Sequence, residues 1–279
     1  MPSSSVRKSS GCAAASDTRM KFPLRLTLDL WRERLFRAGY NGSVSAPILH
    51  LPAACLPALH ENEFQRSSDS HTAADSVRTA AKSKAPVLWI GGSEPFDHAE
   101  VGRVAFALNA RSRNVFLHTD GQRLRQRIHE FRPDARLFLT VELIGREACH
   151  DRAVGKPGAF QRAMEGIRAA KLSGFYVCVH MSVTQRTEPC ETGVLFEFLD
   201  GYDVDGYIVS SGGQEPASST AAYQEKLEEL RGFVRCSRWE KFSRLLENSY
   251  RCRALKQDIS TRAPSLPAQV ETETVEETA

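Results

Sequence analysis

The residues through which this chain could do chemistry are a few histidines and carboxylates near predicted strand ends. His150 and Asp151 are neighbours and could pass a proton, although adjacent side chains rarely face each other and a His-Asp pair also serves to cap a following helix. His180 lies among apolar neighbours, Cys178, Val179 and Met181. In a strand it would point either into a barrel interior or into a core where its ring is satisfied. His50 and His60 flank Cys55, which raises metal ligation, but the prolines between them read better as an irregular loop. The seven cysteines, Cys12, Cys55, Cys149, Cys178, Cys190, Cys236 and Cys252, are scattered, and no pair has C-x-x-C spacing. They read as free thiols.

Other common chemistries are missing from the sequence: there is no P-loop, no G-x-S-x-G and no H-E-x-x-H. The 279 residues are 41% hydrophobic and 25% charged, with a formal net charge of +3. This is the composition of an ordinary folded domain with a sizeable core. It carries no concentrated basic footprint, so no nucleic-acid partner is expected. No apolar run is long enough to cross a bilayer; the most apolar stretch, residues 45–59, is broken by three prolines and a histidine. The N-terminus has no apolar segment after its basic residues, so a cytoplasmic location is the expectation.

The elements that must position these residues follow a regular rhythm from residue 86 onward. Pro86–Gly91, Asn114–His118, Ala135–Leu143, Gly174–Val183 and Val204–Ser210 read as strands buried on both faces. Ala99–Arg111, Gln122–Phe131, Gly158–Leu172 and Thr192–Leu199 read as the helices between them. Phe22–Leu30 alternates, with Leu24, Leu26, Leu28 and Leu30 on one face, and predicts a half-buried strand. Residues 42–70 read as a long irregular loop, His71–Lys84 as a short helix, and residues 220–256 as mostly helical. About six strands alternating with helices predict an α/β fold with a parallel sheet. A partial barrel and an open doubly wound sheet both fit that count.

Several of the predicted loops resemble the radical S-adenosylmethionine (radical SAM) superfamily, closest to its adenosylhopane synthase group, over roughly residues 22–215. Gly92-Ser93-Glu94-Pro95 is similar to the family's G-G-E-P loop, with Ser93 in place of a glycine, and residues 94–100 continue like E-P-x-x-H-P-E. Thr119-Asp120-Gly121 resembles T-N-G. Glu142-Leu143-Ile144-Gly145, with His150-Asp151 after it, resembles L-D-G followed by H-D, with Ile144 at the aspartate position. The helix from Phe160 and the strand ending at Ser210 also match. The fold implied is a partial (β/α)6 TIM-like barrel of the radical SAM core type.

The resemblance also implies a deficit. Such proteins place C-x-x-x-C-x-x-C after the first strand, where three thiolates hold a [4Fe–4S] cluster and leave one iron open. Aligning Pro23–Asp29 with that strand puts the three positions at Arg34, Ala38 and Asn41, none of which can replace a soft thiolate. The cluster is therefore expected to be absent, and whether the chain is an enzyme stays open. The residues implied to line a remnant S-adenosylmethionine pocket are Gly92, Ser93, Glu94, Pro95, Thr119, His180 and Ser210.

The domain organisation expected is a disordered leader over residues 1–20, a barrel over 21–215, C-terminal helices over 216–258 and a disordered acidic tail over 259–279. The functional expectation is a degenerate radical-SAM-like protein that does not cleave S-adenosylmethionine. The alternatives are a non-catalytic partner or regulator of an intact radical SAM enzyme, or a relic. An isoprenoid-lipid substrate is implied by resemblance only. Trp31–Tyr40 admits an amphipathic membrane-surface segment or a helix packed on the barrel. The basic, aromatic stretch Arg231–Lys256 admits a partner-binding or a packed helix.

Overall fold

The computed structural model describes residues 22–38, 48–52, 82–92, 94–111, 113–184, 187–211 and 221–262. Six strands form one parallel sheet in sequence order: β1 (Ile48–Pro52), β2 (Val87–Gly91), β3 (Asn114–Thr119), β4 (Leu137–Glu142), β5 (Tyr176–Val183) and β6 (Gly206–Ser211). Every neighbouring pair is parallel, and the sheet curves into a half-barrel. The strand–helix rhythm predicts the parallel α/β sheet, and of the two architectures it admits the chain forms the partial barrel implied by the resemblance.

The connecting helices are α2 (Val101–Asn109), α3 (Leu124–Arg127), α4 (Glu147–Val154), α5 (Ala159–Leu172) and α6 (Pro189–Leu199). α5 shows why they dock: Phe160, Ala163, Met164, Ile167 and Ala170 fall on one face and are all buried. The strands are buried on both sides, which is why β2 and β6 read as unbroken apolar or small-residue runs. Two further helices, α7 (Ala221–Gly232) and α8 (Ser237–Arg262), follow β6. α8 runs four residues past 258, the expected end of the C-terminal helices. Among the described residues no helix is long and apolar enough to cross a membrane.

The segment expected as the first strand is instead a helix, α1 (Leu24–Ala38). Its alternating leucines fit either period over so short a run, and Leu, Arg and Glu are good helix formers. Tertiary contacts decide the outcome. Leu26 is fully buried and Leu30 packs on the core, four positions apart on one helical face, while Leu24, Leu28 and Trp31 are exposed. Asp29 accepts a hydrogen bond from Asn114 Nδ2 (2.9 Å) and pairs with Arg136, tying α1 to the starts of β3 and β4.

The strand that was missed is β1, inside the stretch read as irregular. It is short, and its Pro52 and His50 disguise it. As an edge strand it tolerates the proline, and His50 Nε2 meets Ser249 Oγ of α8 at 2.7 Å. The expected helix over residues 71–84 falls almost wholly outside the described residues, as do His60 and Cys55.

α8 lies across the concave face of the sheet. Phe242 stacks on Phe116 of β3 at 4.8 Å, and Trp239 lies edge-on to Phe138 of β4 at 6.5 Å. Trp239 sits directly over Gly206, where an added Cβ would come within 2.2 Å of the indole; only glycine fits there. Ser243 Oγ accepts from the Val209 amide at 3.0 Å, and the Glu247 carboxylate accepts from Ser211 N at 2.6 Å and Ser211 Oγ at 2.7 Å. The basic, aromatic C-terminal stretch is thus a packed helix. Its apolar residues fill the barrel, and Arg244 turns outward to Glu228 and Glu240.

Candidate functional site

The carboxyl ends of the strands carry the polar residues, as parallel α/β folds require: there the backbone leaves the sheet and loops can present side chains. At the end of β2 the chain turns at Gly92, whose φ of +103° is a conformation that favours glycine. Ser93 lies outside the described residues, so the left-handed position shown by the structure is Gly92 itself. Pro95 opens a short 3-10 turn, Pro95–Asp97, and is buried together with Phe96. Arg127 holds this turn by donating to the carbonyls of Phe96 and His98.

Glu94 turns inward and joins two loops. Its Oε1 accepts from Phe96 N (3.0 Å) and Thr119 Oγ1 (2.7 Å), and its Oε2 accepts from Asp120 N (2.8 Å). Burial and the nearby Asp120 carboxylate raise its pKa to about 7, outweighing the three donors. Four lone-pair sites on the carboxylate less three donors leave one free to face a cation.

On the concave face a second cluster sits above the aromatic floor. His180 of β5 is buried, with Nδ1 2.9 Å from His118 Nε2 of β3 and Nε2 2.8 Å from Ser210 Oγ of β6. Glu142 of β4 reaches within 4.0 Å of His118 Nε2. Trp89 of β2 supports both rings, stacked on His118 at 5.3 Å and edge-on to His180 at 5.6 Å. Burial lowers the pKa of both histidines, for His118 against the opposing pull of Glu142 and Asp120 and for His180 reinforced by His118. Ligand atoms of His118, Glu142 and His180 all lie within 4.8 Å of one another, a group of three that could hold a metal ion.

The residues expected to form one pocket therefore divide into two pairs: Glu94 with Thr119, and His180 with Ser210. His118 and Glu142 were missed as site residues. The signal was available: each lies two positions after an inward-facing residue, Phe116 or Thr140, at a strand's carboxyl end. His150 and Asp151 do not form a proton-transfer pair. Both lie in α4, where His150 Nδ1 faces the Ile144 amide at 3.3 Å, and Asp151 accepts from Gly158 N and Phe160 N, capping α5.

A family model described as the radical SAM superfamily matches residues 55–199. The chain belongs to the radical SAM superfamily. A pre-heme d1 synthase from Dinoroseobacter shibae is 23% identical over 160 residues, which cover 56% of this chain and 39% of that protein. Among solved structures, Streptococcus suis SuiB bound to S-adenosylmethionine matches at a TM-score of 0.53 with 14% identity, covering 73% of this chain and 51% of SuiB. A second SuiB crystal structure matches at 0.50 and 13% identity, covering 73% of this chain and 50% of that one. The radical SAM chain thus spans about two-fifths to one half of the length of these relatives. They lend no support to the narrower resemblance to adenosylhopane synthases.

The strand order also moves the position of the family's cysteine loop. Arg34 and Ala38 fall within α1, and Asn41 lies outside the described residues, so the alignment of Pro23–Asp29 with a first strand is overturned. The first strand is β1, and three positions beyond its end stands Cys55, where the family match begins. The C-x-x-x-C-x-x-C spacing counted from Cys55 would place cysteines at 59 and 62; the chain has Leu59 and Asn62.

Proposed function

We propose that this protein is a radical SAM-fold protein that keeps a binding rim for S-adenosylmethionine but does not hold a three-cysteine [4Fe–4S] cluster. The observation that carries the reading is the cysteine pattern set against the fold. The two closest cysteines in the chain, Cys178 and Cys190, stand twelve positions apart, so nowhere does it offer three thiolates at the family's spacing. Cys178 is a poor substitute, because burial pushes its thiol pKa well up and a cluster binds thiolates. The donor set does not fit the cluster, and no reductive cleavage step is derived from it.

The rim is a different matter. Gly92, Glu94 and Pro95 follow β2, Thr119 ends β3, and the partly satisfied Glu94 carboxylate suits an ammonium such as that of a methionine moiety. Binding without radical chemistry is the role this combination supports. Anaerobic incubation with iron, sulfide and a strong reductant, followed by S-adenosylmethionine, tests the first half: the expected outcome is no four-iron chromophore and no 5′-deoxyadenosine. About four irons per chain together with that product would overturn it. Calorimetry with S-adenosylmethionine tests the second half, with binding weakened at least tenfold by Glu94→Ala as the expected result.

One observation favours a role as a non-catalytic partner of an intact radical SAM enzyme. Leu24, Leu28 and Trp31 are 68%, 52% and 59% exposed and stand four and three positions apart, forming an apolar stripe along α1. Under that reading Trp31→Glu abolishes co-purification with the enzyme and leaves S-adenosylmethionine binding unchanged.

A further inference from the structure

We infer that His118, Glu142 and His180 form a binding site for one divalent first-row transition-metal ion, of the zinc or ferrous class, inside the half-barrel. The site uses none of the chain's cysteines.

The argument begins with geometry. Nitrogen ligands about 2.1 Å from one ion stand roughly 3.0 Å apart when they are at right angles, and any two ligands stand at most roughly 4.2 Å apart when they are opposite. His118 Nε2 and His180 Nδ1 are 2.9 Å apart, and His118 Nε2 and Glu142 Oε2 are 4.0 Å apart. These two separations fall at or close to the range for atoms on a common ion; the third, between His180 and Glu142, is bounded at 4.8 Å, so the half-exposed Glu142 side chain swings inward by up to about 0.6 Å as the ion binds. The three side chains come from β3, β4 and β5 in one sheet, so rigid strands set their spacing.

Hydrogen bonding points the same way. The Glu142 carboxylate makes no hydrogen bond among the described residues; what it faces is His118 Nε2, at a distance too long for one. A carboxylate left without a donor in a partly enclosed site is poised for a cation. His180 is oriented from behind. Ser210 Oγ lies 3.4 Å from the Ser211 carbonyl and 2.8 Å from His180 Nε2, so it can donate to the former and accept from the latter. That holds the His180 proton on Nε2 and leaves the Nδ1 lone pair aimed at the site, the arrangement by which metal-bound histidines are usually fixed. His118 then carries its proton on Nδ1 when the ion is bound and on Nε2 when it is not.

Two imidazoles and one carboxylate suit zinc or ferrous iron. Calcium and magnesium prefer all-oxygen sites. Three protein ligands leave at least one coordination position open, as in catalytic rather than structural sites.

The test uses the full chain, purified with chelator and then titrated with zinc chloride or, anaerobically, with a cobalt(II) salt as spectroscopic reporter. One ion per chain is expected. X-ray absorption of the unmodified zinc-loaded chain should show a nitrogen and oxygen shell with imidazole scattering and no sulfur. His118→Gln and His180→Gln should each weaken binding at least a hundredfold and Ser210→Ala about tenfold, while His50→Gln should leave it unchanged. Circular dichroism checks that each variant is folded. A sulfur-containing shell, no stoichiometric binding, or full affinity in folded His118→Gln and His180→Gln would each overturn the site.

Discussion

The concave face of this half-barrel has two layers built on the same strands, and they obey opposite rules. In the lower layer Phe116 and Phe138 stack at 4.4 Å, Phe242 of α8 stacks on Phe116, and Trp239 closes the layer edge-on. Its rings are buried and pack on one another. Two residues further along β3, four along β4 and four along β5 from Tyr176, which stacks on Phe138, the upper layer presents His118, Glu142 and His180, whose polar atoms converge within 4.8 Å of one another. A strand places every second side chain on one face, so a few residues of sequence separate a core from a site. α8 stands in for part of the missing barrel wall: its rings cover the lower half, and the polar residues lie above them.

The comparison can be broken first at Phe242. Phe242→Ala removes the ring that joins α8 to Phe116 and should cost about 3–5 kcal/mol in denaturant unfolding. A loss under about 1 kcal/mol would mean that α8 does not seal the sheet. Glu94 comes next. Its carboxyl holds a proton up to about pH 7 when folded but releases it near 4.5 when unfolded. Between those values the folded state binds more protons, so stability should fall by roughly 3 kcal/mol as pH rises from about 4.5 to 7. Unfolding curves across that window should show this slope in the native chain and lack it in Glu94→Gln.

Glu247 tests the contact between α8 and the sheet at the far end of β6. Glu247→Ala leaves the Ser211 amide and hydroxyl without their buried acceptor and takes a carboxylate from beside the buried Arg231, at a cost of about 2–3 kcal/mol in the same unfolding assay. The smallest effect belongs to the upper layer. Ser210→Ala should cost about 1 kcal/mol of stability, because His180 retains its bond to His118. A loss as large as that of Phe242→Ala would show the upper layer to be core, and would remove the distinction between the two.

Much of the barrel was legible in the chain because a doubly buried strand leaves a signal that needs no context. β2 to β6 are mostly apolar runs, polar chiefly toward their carboxyl ends, spaced by helical patterns, and their order follows from right-handed crossovers between parallel strands. The first unit was not legible. Phe22–Leu30 carries an alternation that a helix satisfies equally well once Leu26 and Leu30 find the core and Asp29 finds Arg136. β1 hides behind a histidine and a proline whose cost is met by an edge position and by Ser249, some two hundred residues away. Moving the first strand moved the family's cysteine loop from Arg34, Ala38 and Asn41 to Cys55 and the residues after it.

The candidate site divides along the same line. Glu94, Thr119 and Ser210 stood out because they lie in or beside loops and strand ends with a recognisable pattern, and His180 because it is a histidine among apolar strand neighbours. His118 and Glu142 lack such a pattern, and only the register of β3 against β4 and β4 against β5 turns them toward His180. By itself the sequence determined the strand–helix alternation, the parallel sheet and the absence of three suitably spaced cysteines, all of which are local properties of composition and spacing. The tertiary structure alone decided which segment is the first strand, that α8 fills the lower barrel, and that two histidines and a glutamate meet. Those outcomes depend on contacts between residues far apart in the chain, whose free energies outweigh the local preferences of the segments that make them.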